Sequence, residues 1–562
     1  MGTFVQQYDP LHSVVLSTIV AAFPIVLLLG LIATGKVKSH WAALLGLGAM
    51  ILVAIFAYGM PASMTASDTV YGFFYGFFPI GWIVVNTIFL YRLTVEKGYF
   101  AVFQYSMGRI TSDRRLQLII IAFCFGAFFE GAAGFGTPVA VSAAMLMGLG
   151  FSPLAASALS LLADTATVAF GALGAPIIAL HASTGGDTDG VPIMALSQII
   201  GRQSCVFSLV IPFVMVFMFC GWKKMMEVWP ALLVASLGFT IPAYLISNYS
   251  NPYIVDVVAG AAALASLVLF LRVWQPKTIL TDPRLKIPDD SHSDVKPPEP
   301  LKVAPTTQQM INAWIPWLIL CVVVAFWATD TLKGLVNPIF APQIPWPGVD
   351  KMIIQMPPAF AKATPLRVGF LPFAFLSYAG TGILVSAIIA GFVMGFGPVS
   401  LFKHYMKTLY VVRYPILTIT AMLSLASVTS ACGADGTLGL AFANTGTLYP
   451  FFGTMLGWLG VAATGSDTAA NALFGGLQMV TAHQTGISQV LMAGSNSTGG
   501  VMGKIICISS IVVAVAATRW EGGESRILRF VFWPSVILGC LVGVLAMLQA
   551  YVYPFTLTVP PG

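Results

Sequence analysis

Residues Phe128 to Pro138 read FFEGAAGFGTP, which places a carboxylate, glycines at 131, 134 and 136 and a proline inside a run that is otherwise soluble in lipid. Glycine at this density followed by proline breaks a helix. Within hydrocarbon a break leaves backbone amides and carbonyls unpaired at several kcal/mol each, so irregular backbone survives there only inside protein or along a wet cavity. A helix restarting after Pro138 would present free N–H groups and a positive dipole end, a setting suited to an anion such as a carboxylate. The glycines alone would serve close helix packing equally well. Glu130 beside them tips the reading toward function, because an ionised group at mid-bilayer costs about 2.5–3.5 kcal/mol and persists when paired, hydrated or used.

The rest of the chain fits that environment. Of its 562 residues 57% are hydrophobic and 9% charged, too few charges to cover a water-soluble fold of this size. Apolar runs of about 18–25 residues, each able to cross about 30 Å of hydrocarbon as a helix, recur from Leu11 almost to the C-terminus. The expected fold is therefore all-α and polytopic, with about 12–14 transmembrane segments; a β-barrel would need short alternating segments. The net charge of +6 sits in loops between apolar runs, where membrane orientation explains it and nucleic acid is not needed. Seven cysteines without a CxxC pair read as small core residues, and six histidines without paired spacing exclude a haem enzyme. No enzyme activity, cofactor or metal is expected. The first apolar run, 11–34, lacks a basic leader and a clear cleavage site, so it reads as a retained helix.

Lysine and arginine mark the cytoplasmic loops. By that rule the loops at 36–38, 92–115, 223–224, 272–302, 403–413 and 519–529 face the cytoplasm, those at 60–69, 182–195, 249–253 and 432–445 face outward, and both termini lie outside. A Pro-rich cytoplasmic loop at 275–310 divides a first membrane half, 1–274, from a second, 311–562. Residue 115 is then inside and 182 outside, so the stretch between must cross an odd number of times although it holds two apolar runs. Folding 117–150 into a re-entrant hairpin satisfies the count. The same reasoning makes 446–480 a second hairpin, entering from the opposite face. GAAGFGTPVA at 131–140 echoes GVAATGSDTA at 460–469, and ADTATVAFG at 163–171 echoes GSNSTGGVM at 494–502. Together these predict an inverted-topology repeat with a binding site near the midplane.

The deepest charged groups are Glu130, Asp164, Asp435, Asp467 and Lys504. Apolar surroundings favour a neutral acid, so Glu130 is the first candidate to carry a proton, with Asp164 and Asp467 beside it in the paired signatures. Lys504, about 22 Å from Arg519 at helical rise, is too deep to snorkel outward easily; it is read as the counter-charge to a substrate carboxylate or to an aspartate. Gly134, Gly136, Thr137, Ser466, Thr468, Asn471, Ser495 and Asn496 supply amides and hydroxyls to the same candidate site. Arg202 is expected to reach outward, and His181 and His483 to lie in loops.

FCFGAFFEGAAGFGTPVAVSA, DTATVAFGALGAPI, ATGSDTAANALFGGLQ and TGGVMGK, in this order over nearly the whole chain, resemble the bacterial lactate permease family. The resemblance implies an inner-membrane symporter that moves lactate and glycolate with a proton, and membership of a broader superfamily with inverted repeats and re-entrant hairpins. It maps the family motifs onto Glu130, Gly131, Gly134, Gly136, Thr137 and Pro138, onto Gly465, Ser466, Asp467, Thr468 and Asn471, and onto Gly499, Gly500, Gly503 and Lys504. The implied partners are a small monocarboxylate, a proton and membrane lipid, with a homo-oligomer left open. Asp164-Thr165-Ala166-Thr167 replaces the family's N-T-A-P, and IICISS after Lys504 lacks the usual Pro-Gln; the acid at 164 is read as a second proton acceptor or as the partner of Lys504. A sodium-coupled carboxylate carrier is the alternative.

Overall fold

The computed structural model describes residues 2–33, 37–99, 101, 102, 105, 110–134, 136–186, 190–282, 285, 305–327, 329–359, 363–370, 372–520 and 523–561. Most of the Pro-rich loop therefore lies outside the described residues. Ten described helices are long and apolar enough to cross a bilayer, twelve if each of two bent pairs is one span, at the lower edge of the expected number. The multi-pass membrane character follows from their length and composition.

The stretch around Glu130 does double back. Helix Arg114–Ala132 ends at Ala133, and a second helix, Thr137–Gly148, returns along it. The Ser142 hydroxyl donates to Ile121 O at 3.2 Å although 21 residues separate them, whereas a continuous helix would hold them about 30 Å apart. Arg114 likewise lies over the Phe151 ring at 5.8 Å. The second hairpin pairs Tyr449–Thr464 with Asp467–Thr485: Gln478 donates to Gly453 O at 2.8 Å, and a methyl added at Gly460 would meet Phe474 and Ala470.

Each hairpin is followed by a broken helix. Pro153–Asp164 and Val168–Ser183 meet at 62°, and Gln489–Ile506 and Ile508–Thr518 at 44°. The two broken helices run in opposite senses, since Ser157, near the start of the first, lies 3.2 Å from Thr518 at the end of the second. The hairpins accordingly enter from opposite ends of the bundle. Their tips match in conformation at the first sequence echo: Gly136 and Gly465 both take positive φ, 79° and 75°, immediately before a helix. The second echo does not align in this way, because the chain breaks just after Asp164 but remains helical from Ser495 to Gly503.

Three local readings change. Lys403–Arg413 is not a loop but part of the helix Pro398–Cys432, in which basic side chains extend one long span beyond its apolar part. Residues 432–445 contain the helix Ala434–Ala443, whose first half is buried. His181 and His483 both sit in the last turns of helices, His181 buried with its Nδ1 2.8 Å from Val191 O. The Pro-rich stretch 333–367 adds short strands to an otherwise helical fold: Phe4–Val5 pairs with Ile353–Gln355, and that strand with Thr364–Pro365. Extended segments there keep backbone groups paired where proline excludes helix.

Both described chain ends lie at the entrance of the second hairpin. Gln484 donates to Pro358 O beside the N-terminal sheet, and Arg202 donates to Asn248 Oδ1 and Thr558 O at 2.8 Å each. At the opposite end, buried Arg115 holds Asp113 and Glu227 at 2.7 Å each and donates to Thr278 O at 2.6 Å, fastening the first hairpin to the start of the Pro-rich loop. The Thr278 hydroxyl, then Lys224 and Arg115, donate to the Glu227 carboxylate and hold its pKa down from 4.5 to about 2. A depressed carboxylate pKa contributes stability that is complete above the unfolded value and lost as pH falls through the folded one. Detergent-solubilised protein should lose thermal stability as pH falls from about 4.5 toward 2, and Glu227→Gln should flatten that part of the profile; an unchanged profile would remove Glu227 from the clasp's energetics.

Candidate functional site

Both hairpin tips reach both broken helices. Gly134, at φ 57°, lies so close to Ala172 that an added methyl would stand 2.7 Å from its Cβ. Ala172, Leu173 and Gly174 there are all left-handed; for the two non-glycine residues that conformation costs about 1–3 kcal/mol each and marks a functional break rather than ordinary helix. The second tip reaches the same element from the other side, where Asn471 donates to Pro176 O at 3.1 Å. On the second broken helix, Gly465 packs on Cys507 and Ser509, and a methyl added at Gly136 would stand 4.0 Å from Val513. The tips thus converge around the break that follows Lys504.

At that convergence Lys504 Nζ lies 3.1 Å from Asp164 Oδ2 and 3.5 Å from Glu130 Oε1. All three side chains are at least nine-tenths buried. Gly171 leaves the room that Glu130 needs, since any side chain there would collide with Oε1. Lys504 thus pairs with two carboxylates: the first hairpin and first broken helix supply the acids, the second broken helix the cation. Glu130 Oε2 and Asp164 Oδ1 have no hydrogen-bond partner among the described residues, so the cluster retains capacity to accept.

A second polar cluster continues from it. Asp467 Oδ2 accepts from Ser497 at 2.6 Å and from Asn471 at 3.2 Å, while its Oδ1 is buried without a partner among the described residues. Gly500 faces that free oxygen, where a methyl would stand 2.7 Å away. Asn471 also donates to Ser497 Oγ at 3.1 Å and accepts from Asn496 at 3.0 Å; Asn496 accepts from Gln478, which accepts from Tyr449 at 2.5 Å. A network so fully joined fixes the tip geometry.

The remaining candidates divide. Ser466 caps the second tip helix, accepting from Ala469 N at 3.3 Å. Thr468 is buried in the following turn. Gly136, the N-cap of Thr137–Gly148, makes no side-chain cap among the described residues; the Thr137 side chain lies outside them. Ser495 is not part of this site: it accepts from Gln203 at 2.8 Å, and Gln203 also binds Gln549.

A family model described as L-lactate permease matches residues 17–553. The chain belongs to the L-lactate permease family. It is similar to the glycolate permease GlcA of Escherichia coli K12, at 42% identity over 98% of this chain and 99% of that one. It is also similar to the L-lactate permeases of Salmonella typhimurium, 39% identical over 98% and 99% of the two chains, and of Bacillus subtilis, 38% identical over 98% of each. Among solved structures it is similar to the YdaH transporter of Alcanivorax borkumensis, with TM-score 0.43, 15% identity and 95% and 97% coverage, and to MtrF of Neisseria gonorrhoeae, with TM-score 0.46, 14% identity and 95% coverage of each.

The permease also has site neighbours that the sequence reading passed over. Asp256 packs its Cβ against Gly131, where an added methyl would stand 2.8 Å away, and is 1% exposed. Its position at the very start of an apolar run, next to a loop, disguises it as an end-of-helix acid. Gln478 and Tyr449 were equally hidden: an amide and a phenol in a hairpin arm give no signal until the partner arm is known.

Proposed function

We propose that this permease carries small 2-hydroxymonocarboxylates, lactate and glycolate, across the bacterial cytoplasmic membrane together with a proton. The observation that carries the reading is Lys504 held between Glu130 and Asp164 where the hairpin tips converge. A substrate carboxylate arriving at Lys504 competes with an acid already there. The acid it displaces would be a bare buried charge, several kcal/mol too costly to leave in place, and taking up a proton removes that cost. Anion and proton therefore enter as one electroneutral pair, avoiding about 2.3 kcal/mol per charge per 100 mV of membrane potential. Asp467 Oδ1 is the acceptor for the 2-hydroxyl, and the helix amides after Gly136 add positive potential near the carboxylate. The relatives named for lactate and for glycolate, aligned over nearly the full length, support the substrate class. In this reading both termini face outward and the hairpin-bearing elements move against the remaining helices as access alternates.

Sodium-free proteoliposomes test it. An imposed acid-outside pH gradient should drive accumulation of labelled lactate, with glycolate as competitor. Glu130→Gln should lower that accumulation at least tenfold, and the residual uptake should no longer rise as external pH falls. Accumulation by wild type only when sodium is supplied would overturn proton coupling. Full-rate, normally pH-dependent uptake by Glu130→Gln would remove that residue from it.

A further inference from the structure

Asp256 is the second residue of the helix Val255–Val273, a position where an acid ordinarily serves the helix N-terminus. It does not do so by hydrogen bonding, because among the described residues neither carboxylate oxygen has a partner. It is also not held by a cation. Glu130 of the first hairpin and Asp164 of the first broken helix act on it electrostatically, as it does on the Cys205 thiol of the helix Ile193–Cys220, and its Cβ packs on Gly131 beside Glu130. The adjoining helix Trp229–Tyr249 contains no Asp, Glu, Lys, Arg or His. Lys504, paired to Glu130 and Asp164, lies beyond those two acids.

The contacts also order these groups along the bundle. Pro252 and Tyr253, in the loop just before Asp256, pack on Gly174. Asp256 lies against Gly131, next in sequence to Glu130, and Glu130 lies against Gly171. Asp164 and Lys504 follow. Ser250, at the other end of that loop, is exposed, and the helix end before it meets the helix Ile193–Cys220, where Ser197 donates to Ser247 O and Ile199 packs on Gly494 of the second broken helix. Helix Val255–Val273 approaches the hairpin backbone to backbone, through Gly131 on Val257 N and Gly260 on Phe128, so Asp256 has little freedom to turn elsewhere.

We propose that Asp256 is the relay through which a proton passes between the loop 250–254 and Glu130. The inference rests on the proton-coupled reading above. Among the described residues neither of its carboxyl oxygens is engaged in another hydrogen bond, and the acids near it offer a proton a destination. The transfer is a proton moving from the Asp256 carboxyl to the Glu130 carboxylate, directly or through water, after which Asp256 is reprotonated from the loop side. Asp256 would touch neither the substrate nor Lys504.

Asp256→Asn keeps the shape and removes the proton. In sodium-free proteoliposomes, net lactate uptake under an acid-outside gradient should be compared with lactate–lactate exchange at symmetrical pH, which needs no net proton transfer through the loop side. The ratio of net uptake to exchange should fall at least tenfold, and net uptake should lose its rise with external acidity. An unchanged ratio in a variant inserted at wild-type amount overturns the proposal. If Asp256→Asn does not insert, Asp256→Ser is the second variant; failure of both to insert assigns the residue to structure and also overturns it. Wild-type protein without proton-driven uptake would instead sink the coupling reading itself, so the two failures are distinguishable.

Discussion

Lys504→Met should reduce lactate accumulation in proteoliposomes at least a hundredfold and lower the thermal midpoint of the purified protein. Lys504 is 5% exposed, and its ammonium is shared by Asp164 at 3.1 Å and Glu130 at 3.5 Å. Methionine fills the same volume without the charge. Removing one partner of a buried pair typically costs about 3–5 kcal/mol, mostly for the charge left behind. Here two carboxylates are left, with Asp256 also acting on both. Partial relief should come from a second change: Lys504→Met with Asp164→Asn should recover much of the thermal stability without recovering transport, because the substrate's counter-charge is still missing. The split separates structural neutralisation from substrate binding. Lys504→Met transporting within threefold of wild type would remove the lysine from the mechanism.

Much of this arrangement was legible before the fold was known, and the reason is energetic. Glycine, proline and a carboxylate in hydrocarbon are each expensive, so FFEGAAGFGTP could be read as a break, and the loop charges then forced the hairpin by parity. Glu130, Asp164 and Lys504 could be nominated singly for the same reason. An aspartate partner for Lys504 was one of the two readings open, but that Glu130 shares the lysine was not legible, because the contact joins residues 130, 164 and 504 across three elements and no local pattern records it. Ser495 shows the converse: it lies in a polar signature beside Asn496, yet successive residues on a helix point about 100° apart, and it faces Gln203 instead of the tips. Lys403–Arg413 was misread as a loop because positive charge marks the cytoplasmic side of a span without marking where its helix ends. Asp256 escaped notice since acids are common in the first turn of a helix, and only the missing hydrogen bonds set it apart.

Asn471→Leu should be the most damaging neutral substitution in the site. Asn471 joins three elements at once: it donates to Pro176 O in the first broken helix and to Ser497 Oγ in the second, and it links Asp467 at its own tip to Asn496. Leucine is close in size, so little cavity forms; the cost is in polar groups left unpaired. Each buried group that loses its partner costs about 1–3 kcal/mol, and the Asn496 side-chain amide, which donates to Asn471 Oδ1, does so. A loss of roughly 1–3 kcal/mol follows, with transport falling at least a hundredfold because the Asp467 carboxylate loses one of the two donors that aim it. Asn471→Asp is the informative companion. It retains an acceptor for Asn496 but loses the donors and sets a second carboxylate one turn from Asp467, so it should lose transport as well and respond differently to acid, recovering in part at low pH as one of the two carboxylates takes up a proton. Equal thermal midpoints for wild type and Asn471→Leu would show that the tip is held by packing alone, and the hydrogen-bonded joint between the second hairpin and the two broken helices would lose its place in the mechanism.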